Sequence, residues 1–302
     1  MKLEELGERK IVNDIIEKFS IPYDDCAFID MNDEYLLITT DIVYEKTHFP
    51  MGVKPYHIGW YSIAVNISDI ASKGGELMGF VSSIALPRNT EKDLLDEILN
   101  GMEECMKKYG GKIVGGDTKE ADLITIAVTA FGKVKKDEAI RRKGARVGDA
   151  VYVTGWLGRG ASLLQKNYDE LLIIHPRIKE GRILAKSKNV SCCMDISDGL
   201  ASSLYQLMKI NNVGFQIYAS ELPLRNIAKT MENPLEYALY HGGDYELLFT
   251  LPEEKGERIE RKIACKKIGE VIEENKIYIV EDGDKKEMEN RGYEHFSHNK
   301  NY

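Results

Sequence analysis

The sequence of 302 residues lacks several things, and each absence narrows what the chain can be. No run of 18 apolar residues occurs, so no membrane-spanning helix is expected. The five cysteines, Cys26, Cys105, Cys192, Cys193 and Cys265, form no C-x-x-C pair, which argues against a structural zinc site or a dithiol redox motif. Their odd number, and a charged, polar start (MKLEELGERK) that does not read as a secretory leader, point to reduced thiols in a cytoplasm. Positive charge is not in excess: 41 Lys+Arg against 49 Asp+Glu leave a formal charge of −8. Nucleic-acid surfaces need clustered Lys and Arg to displace counterions, so no nucleic-acid partner is expected. The G-x-x-x-x-G-K-[ST] phosphate loop is absent, and so are H-R-D and D-F-G, which excludes a P-loop enzyme and the protein-kinase layout. Gly155-Trp-Leu-Gly158-Arg-Gly160 has the wrong spacing for a dinucleotide loop and reads as a strand-to-helix turn. His295 and His298 read as part of a polar tail rather than as a metal pair.

What is present is an ordinary globular composition, 43% hydrophobic. Apolar spacing predicts helices over 3–19, 92–109, 176–187 and 199–210. Apolar runs predict strands at 35–39, 80–86, 124–132, 150–154, 190–195, 214–218, 246–251 and 276–280. The alternation of the two implies an α/β or α+β chain. A charged, low-apolar stretch over 133–149 places a domain boundary there, giving 1–135 and 136–302.

Acidic residues gather in five short segments, each read as the end of an apolar run where a strand stops. They are Asp24-Asp25, Thr39-Thr40-Asp41, Ser68-Asp69 after SIAVNI, Gly115-Gly116-Asp117-Thr118, and Asp195-Ile-Ser-Asp198. Loops beyond strand ends are where open α/β proteins collect ligands. Taken singly, Ser-Asp is ordinary helix-capping material and Asp-Asp or Gly-Gly-Asp ordinary turn material. Taken together they describe a site for Mg2+, which prefers oxygen ligands and is held by a few carboxylates plus substrate phosphates. An acidic protein binding an anionic ligand needs such a cation between them.

In order along the chain, these segments resemble the thiamine-monophosphate kinase family. The family belongs to a wider group with aminoimidazole ribonucleotide synthetase, selenophosphate synthetase and a hydrogenase maturation protein. The resemblance rests on DDCA at 24–27, TTDIVYEKTHF at 39–49, AVNISDIASKGG at 64–75, GGDT at 115–118, RRKGARVGDAVYVTG at 141–155, DISDGL at 195–200, GGDYELLFT at 242–250 and GYEHF at 292–296. It implies ATP-dependent phosphorylation of thiamine phosphate to thiamine diphosphate, by direct in-line transfer. It further implies a homodimer, an N-terminal mixed sheet or half-barrel that helps form the dimer interface, and a C-terminal α/β sandwich. By position it implies Asp25, Thr39, Thr40, Asp41, Asp69, Asp117, Asp195 and Asp198 as magnesium ligands, with Asp41, Asp117 and Asp198 essential to catalysis. It implies Gly116, Asp117, Arg142, Ser197 and Tyr109 near ATP, and His48, Tyr293 and Gly243 near thiamine phosphate.

The sequence departs from the family pattern at Tyr23 and Lys46, where glycine is usual. It departs again at 241–244, where GGEDYEL reads His-Gly-Gly-Asp, the glutamate being replaced by Gly243 or deleted. Two other readings stay open: a related ATP-dependent synthetase, and an ATP-binding regulatory module without turnover.

Overall fold

The structure, a computed structural model, describes residues 2–296. His298 therefore lies outside the described residues. Two mixed sheets divide the chain. The first holds β1 (Ala27–Met31), β2 (Glu34–Tyr44), β3 (Glu76–Leu86), β4 (Ile113–Glu120) and β5 (Thr125–Lys135), in the order β1-β2-β5-β3-β4. Only β3 and β4 pair in parallel. The second holds β6 (Asp149–Thr154), β7 (Cys192–Asp195), β8 (Gly214–Tyr218), β9 (Leu247–Pro252), β10 (Cys265–Ile272), β11 (Ile277–Glu281) and β12 (Asp284–Glu287). Their order is β12-β11-β8-β10-β6-β9-β7. Among the described residues, no helix is long and apolar enough to cross a membrane.

Local sequence explains most elements. In β5, Ile126, Val128, Ala130 and Val134 are buried and alternate with half-buried neighbours, the period of a strand with one covered face. All six residues of β6 are buried, as expected of a strand inside a covered sheet. The Lys92–Tyr109 helix ends at Gly110, whose φ of 95° suits only glycine.

Four expectations need correction. The Ser68-Asp69 segment does not follow a strand. SIAVNI belongs to the Pro55–Ser72 helix, nearly all of which is buried, and an all-round apolar run looks alike as buried helix or buried strand. Thr39-Thr40-Asp41 lies inside β2, and Gly115–Thr118 lies inside β4; neither is a loop. The N-terminal pattern over 3–19 is two helices, Leu3–Leu6 and Glu8–Phe19, broken at Gly7 with φ 75°.

The Pro55–Ser72 helix is the central piece. It lies against β2 and β5 on one side and packs tightly on the Lys92–Tyr109 helix on another. A Cβ on Gly59 would sit 1.8 Å from Ile98 O, and one on Gly101 would sit 2.0 Å from Tyr56 O, so both glycines are required by the close approach. The C-terminal end of this helix reaches the second sheet: Ser68 Oγ donates to Asp195 Oδ2 at 2.6 Å, and Lys73 Nζ donates to Cys193 O at 2.8 Å.

Candidate active site

At that junction the two halves enclose a cleft of about 290 Å3. Its floor comes from β2 and the end of the Pro55–Ser72 helix, and its far wall from the turn between β7 and the Leu200–Asn211 helix. Asp25, Thr39, Thr40, Asp41, Asp69, Arg142, Asp195, Ser197, Asp198 and Tyr293 all line it. Carboxylate oxygens of Asp25, Asp69 and Asp195 lie within 4.8 Å of one another. The Ser68-Asp69 and Asp195-Ile-Ser-Asp198 segments meet here through the Ser68–Asp195 hydrogen bond.

Electrostatics separates these carboxylates into two kinds. Burial pushes Asp25 up, but Arg142 and Lys73 beside it more than offset this and hold it down at about 2. Both of its oxygens are taken: Arg142 Nε donates to Oδ1 at 2.7 Å, while Lys73 Nζ and Ser72 Oγ reach Oδ2 at 2.6 and 2.9 Å. The others are raised. Burial, then Asp25, pushes Asp41 up to about 6 and Asp195 up to about 7. Burial, then Glu8, pushes Asp198 up to about 7. Burial, then Asp41 and Asp195, raises Asp69 well above the ordinary carboxylate range. Buried carboxylates that repel one another at this range fit a divalent cation, which would let them all ionise.

A polar strap closes one side. His295 N donates to Glu8 Oε2 at 2.8 Å, Arg9 N donates to Glu294 Oε1 at 3.1 Å, and Tyr293 N donates to Asp198 O at 3.1 Å. His48 sits beneath it, its ring 5.7 Å from that of His295, with burial pushing its pKa down to about 4, so it is neutral near pH 7. Gly243 follows at φ 95°, its N–H donating to Ser197 O at 2.7 Å, and a Cβ there would meet nothing within 4 Å.

Three residues named from sequence stand elsewhere in this chain. Gly116 and Asp117 lie on the exposed edge strand β4, three strands from Asp41, about 14 Å away at normal strand spacing. Asp117 also pairs through Ser83 and Ala127 with Ile42, which puts it on the sheet face opposite Asp41. Tyr109 donates to or accepts from His175 Nδ1 at 2.9 Å and packs edge-on to Trp60 at 6.1 Å, outside the cleft. Conversely, sequence reasoning passed over Lys73, wholly buried beneath Asp24 and Asp25, and the pair of tyrosines Tyr61 and Tyr245, whose hydroxyls meet at 2.7 Å. A lysine ending an apolar helix was the available signal for the first.

Fold and cleft together define a member of the AIR synthase related proteins. The model of their N-terminal domain matches residues 23–134, and that of their C-terminal domain matches 146–282. Among curated relatives, the thiamine-monophosphate kinase of Methanospirillum hungatei is 39% identical, covering 90% of this chain and 92% of that protein. That of Pyrococcus abyssi is 36% identical, covering 91% and 90%. A solved structure described as AaThiL complexed with AMPPCP and TMP superimposes with a TM-score of 0.89 at 32% identity, covering 98% of this chain and 99% of that one. The chain belongs to the thiamine-monophosphate kinase family.

Proposed function

We propose that this protein transfers the γ-phosphoryl group of ATP directly to the phosphate of thiamine phosphate, giving thiamine diphosphate and ADP. The observation that supports it most is the convergence of Asp25, Asp41, Asp69, Asp195 and Asp198 with Arg142 in one inter-half cleft, in a chain of this family. Thr39, Thr40 and these aspartates would hold Mg2+, which supplies charge neutralisation for the polyphosphate. The acceptor phosphate is already ionised near neutral pH, so the chain needs no strong base, and neutral His48 suits a positioning contact rather than proton abstraction. Arg142 and Ser197 would take nucleotide phosphate oxygens, Arg142 by its planar fork. Tyr293, with its ring at the cleft, would face the cationic thiazolium, together with the open turn at Gly243. Residues 1–135 and 136–302 are read as the two domains that share this cleft. Five cysteines without a disulfide among them fit a reducing compartment such as the cytoplasm.

A homodimer is part of the same reading. The outer face of the first sheet leaves Ile42 62% and Val81 40% exposed, and the edge strand β4 adds Val114 at 55%. Thr40 lines the cleft from this same outer face, so a second copy stacked there would bring its Gly116 and Asp117 to the cleft. Tyr109 is assigned to the nucleotide on resemblance alone.

Incubation with ATP, Mg2+ and thiamine phosphate is expected to yield thiamine diphosphate by chromatography. Intact ATP binding with no such product would sink the kinase reading and favour a module without turnover. The raised carboxylates make a second expectation. A carboxyl raised in the folded state stabilises the fold below its unfolded pKa of about 4 and loses that contribution as pH rises through the folded value. For Asp41, Asp195 and Asp198 that window runs from about 4 to 7. In EDTA these groups should therefore lower Tm between pH 5 and 7.5, and Mg2+ should raise Tm by several degrees more at pH 7.5 than at pH 5, read by scanning calorimetry. Equal Mg2+ effects at both pH values would remove these carboxylates from the metal site.

A further inference from the structure

A second cavity, of about 780 Å3, lies between the start of the Pro55–Ser72 helix and the turn after β6, and shares no lining residue with the aspartate cleft. Lys54, His57, Arg159, Asp169, Glu170 and Arg225 are on its wall. The charges there are unevenly matched. Arg225 Nη1 donates to Glu170 Oε1 at 2.6 Å, and His57 Nε2 meets Asp169 Oδ1 at 2.7 Å. Arg159 is only 4% exposed, yet among the described residues no carboxylate lies within 4.0 Å of its guanidinium. Its Nη1 donates to a backbone carbonyl, that of Glu170, and its Nε has no partner. Asp244, whose charge acts on it, is occupied by backbone and by Arg225: Gly158 N and Arg159 N donate to its oxygens at 3.1 and 2.8 Å, and Arg225 Nε lies 3.9 Å from Oδ1. His57 Nδ1 and Arg225 Nε are likewise buried without a hydrogen-bond partner. Lys54, exposed at the rim, adds a cation that makes no ion pair among the described residues, and the lining Glu97 is exposed.

A buried guanidinium without a carboxylate is costly, because desolvation is not returned by an opposite charge. Burial first, and the Arg225 charge second, push the Arg159 pKa down to about 10, against the opposing pull of Asp244, Glu170 and Glu246, so its desolvation is not fully offset. The size is that of a small-molecule site. We propose that this cavity is a second ligand site, separate from the catalytic cleft, that binds the phosphate group of a small phosphorylated metabolite through Arg159, with Lys54 at its mouth. A guanidinium fork matches phosphate oxygens, and a rim lysine steers the anion inward.

The test is equilibrium dialysis of the full chain in EDTA, where the unneutralised aspartates of the cleft repel anions. The probes are inorganic phosphate and ribose 5-phosphate. Saturable binding at one site per chain is expected. It should weaken at least ~10-fold in Arg159→Met, as for loss of a charge-assisted contact, and measurably in Lys54→Glu, while Arg142→Met leaves it unchanged. Lys54 is on the surface, so its variant keeps the test decisive even where Arg159→Met fails to fold. Tighter binding of ribose 5-phosphate identifies an ester as the occupant, and equal binding identifies free phosphate. The proposal is overturned by absence of saturable binding, by binding that survives both Arg159→Met and Lys54→Glu, or by binding lost in Arg142→Met instead.

Discussion

Lys73→Met is expected to lower the unfolding free energy by about 3–5 kcal/mol, the range for breaking a buried ion pair from one side. The ammonium is wholly buried and all three of its hydrogens are used, on Asp24 Oδ1 at 2.6 Å, Asp25 Oδ2 at 2.6 Å and Cys193 O at 2.8 Å. Methionine fills the same volume but donates nothing. Asp24 keeps hydrogen bonds from Asp25 N at 3.0 Å and Arg142 N at 3.3 Å but no cation in direct contact, and β7 loses one of its ties to the first half, the Ser68–Asp195 bond remaining. The sign with pH follows from the same contacts. Burial lowers the Lys73 pKa, but Asp25 and Asp24 outweigh it and raise the group above its ordinary value. Its contribution is therefore complete below about 10.4 and is lost only as pH climbs through the higher folded value. Asp25 behaves oppositely: held at about 2, it contributes above about 3.9 and loses that as pH falls toward 2. Urea unfolding in EDTA should thus show the full difference between wild type and Lys73→Met from pH 6 to 9. A difference below about 1 kcal/mol would mean that the lysine only breaks even against its own desolvation.

Lys73 also shows where sequence reasoning stops. The strand β5 and the Lys92–Tyr109 helix were legible because each has one covered face, so burial prints a period of 2 or 3.6 on the sequence. The Pro55–Ser72 helix is covered on nearly every side and prints no period, so only its length separates it from a buried strand. The aspartates stood out because carboxylates in apolar contexts are conspicuous. Their cationic partners did not, because Lys73 and Arg142 reach them from 48 and 117 positions away along the chain, counted from Asp25. Local sequence presents Arg159 only as turn material. Arg159 and Gly160 do form a turn, and nothing in the local pattern says that the guanidinium ends up buried with no acid in direct contact. Position in the sheet was equally invisible: GGDT could be placed beside Asp41 in a list of motifs, but strand order sets β4 at the far edge from β2.

That strand order leads to the largest expected effect. Asp41→Asn and Asp117→Asn are each expected to cut kinase activity at least ~100-fold, the scale for losing one group that stabilises charge in the transition state. Within one protomer the two carboxyls cannot hold the same ion, being about 14 Å apart and on opposite faces of the sheet. The reading in which a partner's β4 completes the cleft then predicts complementation. In co-expressed Asp41→Asn and Asp117→Asn chains, random pairing makes about half the dimers mixed. Each mixed dimer carries one cleft with both defects and one with neither, so activity should return to about a quarter of wild type. Were Asp117 to serve the cleft of its own chain, every cleft in the mixture would carry one defect and no activity would return. The same experiment with Asp41→Asn and Asp198→Asn is the control. Both residues line one cleft of one chain, so no pairing yields an intact cleft and the mixture should stay as inactive as its parents.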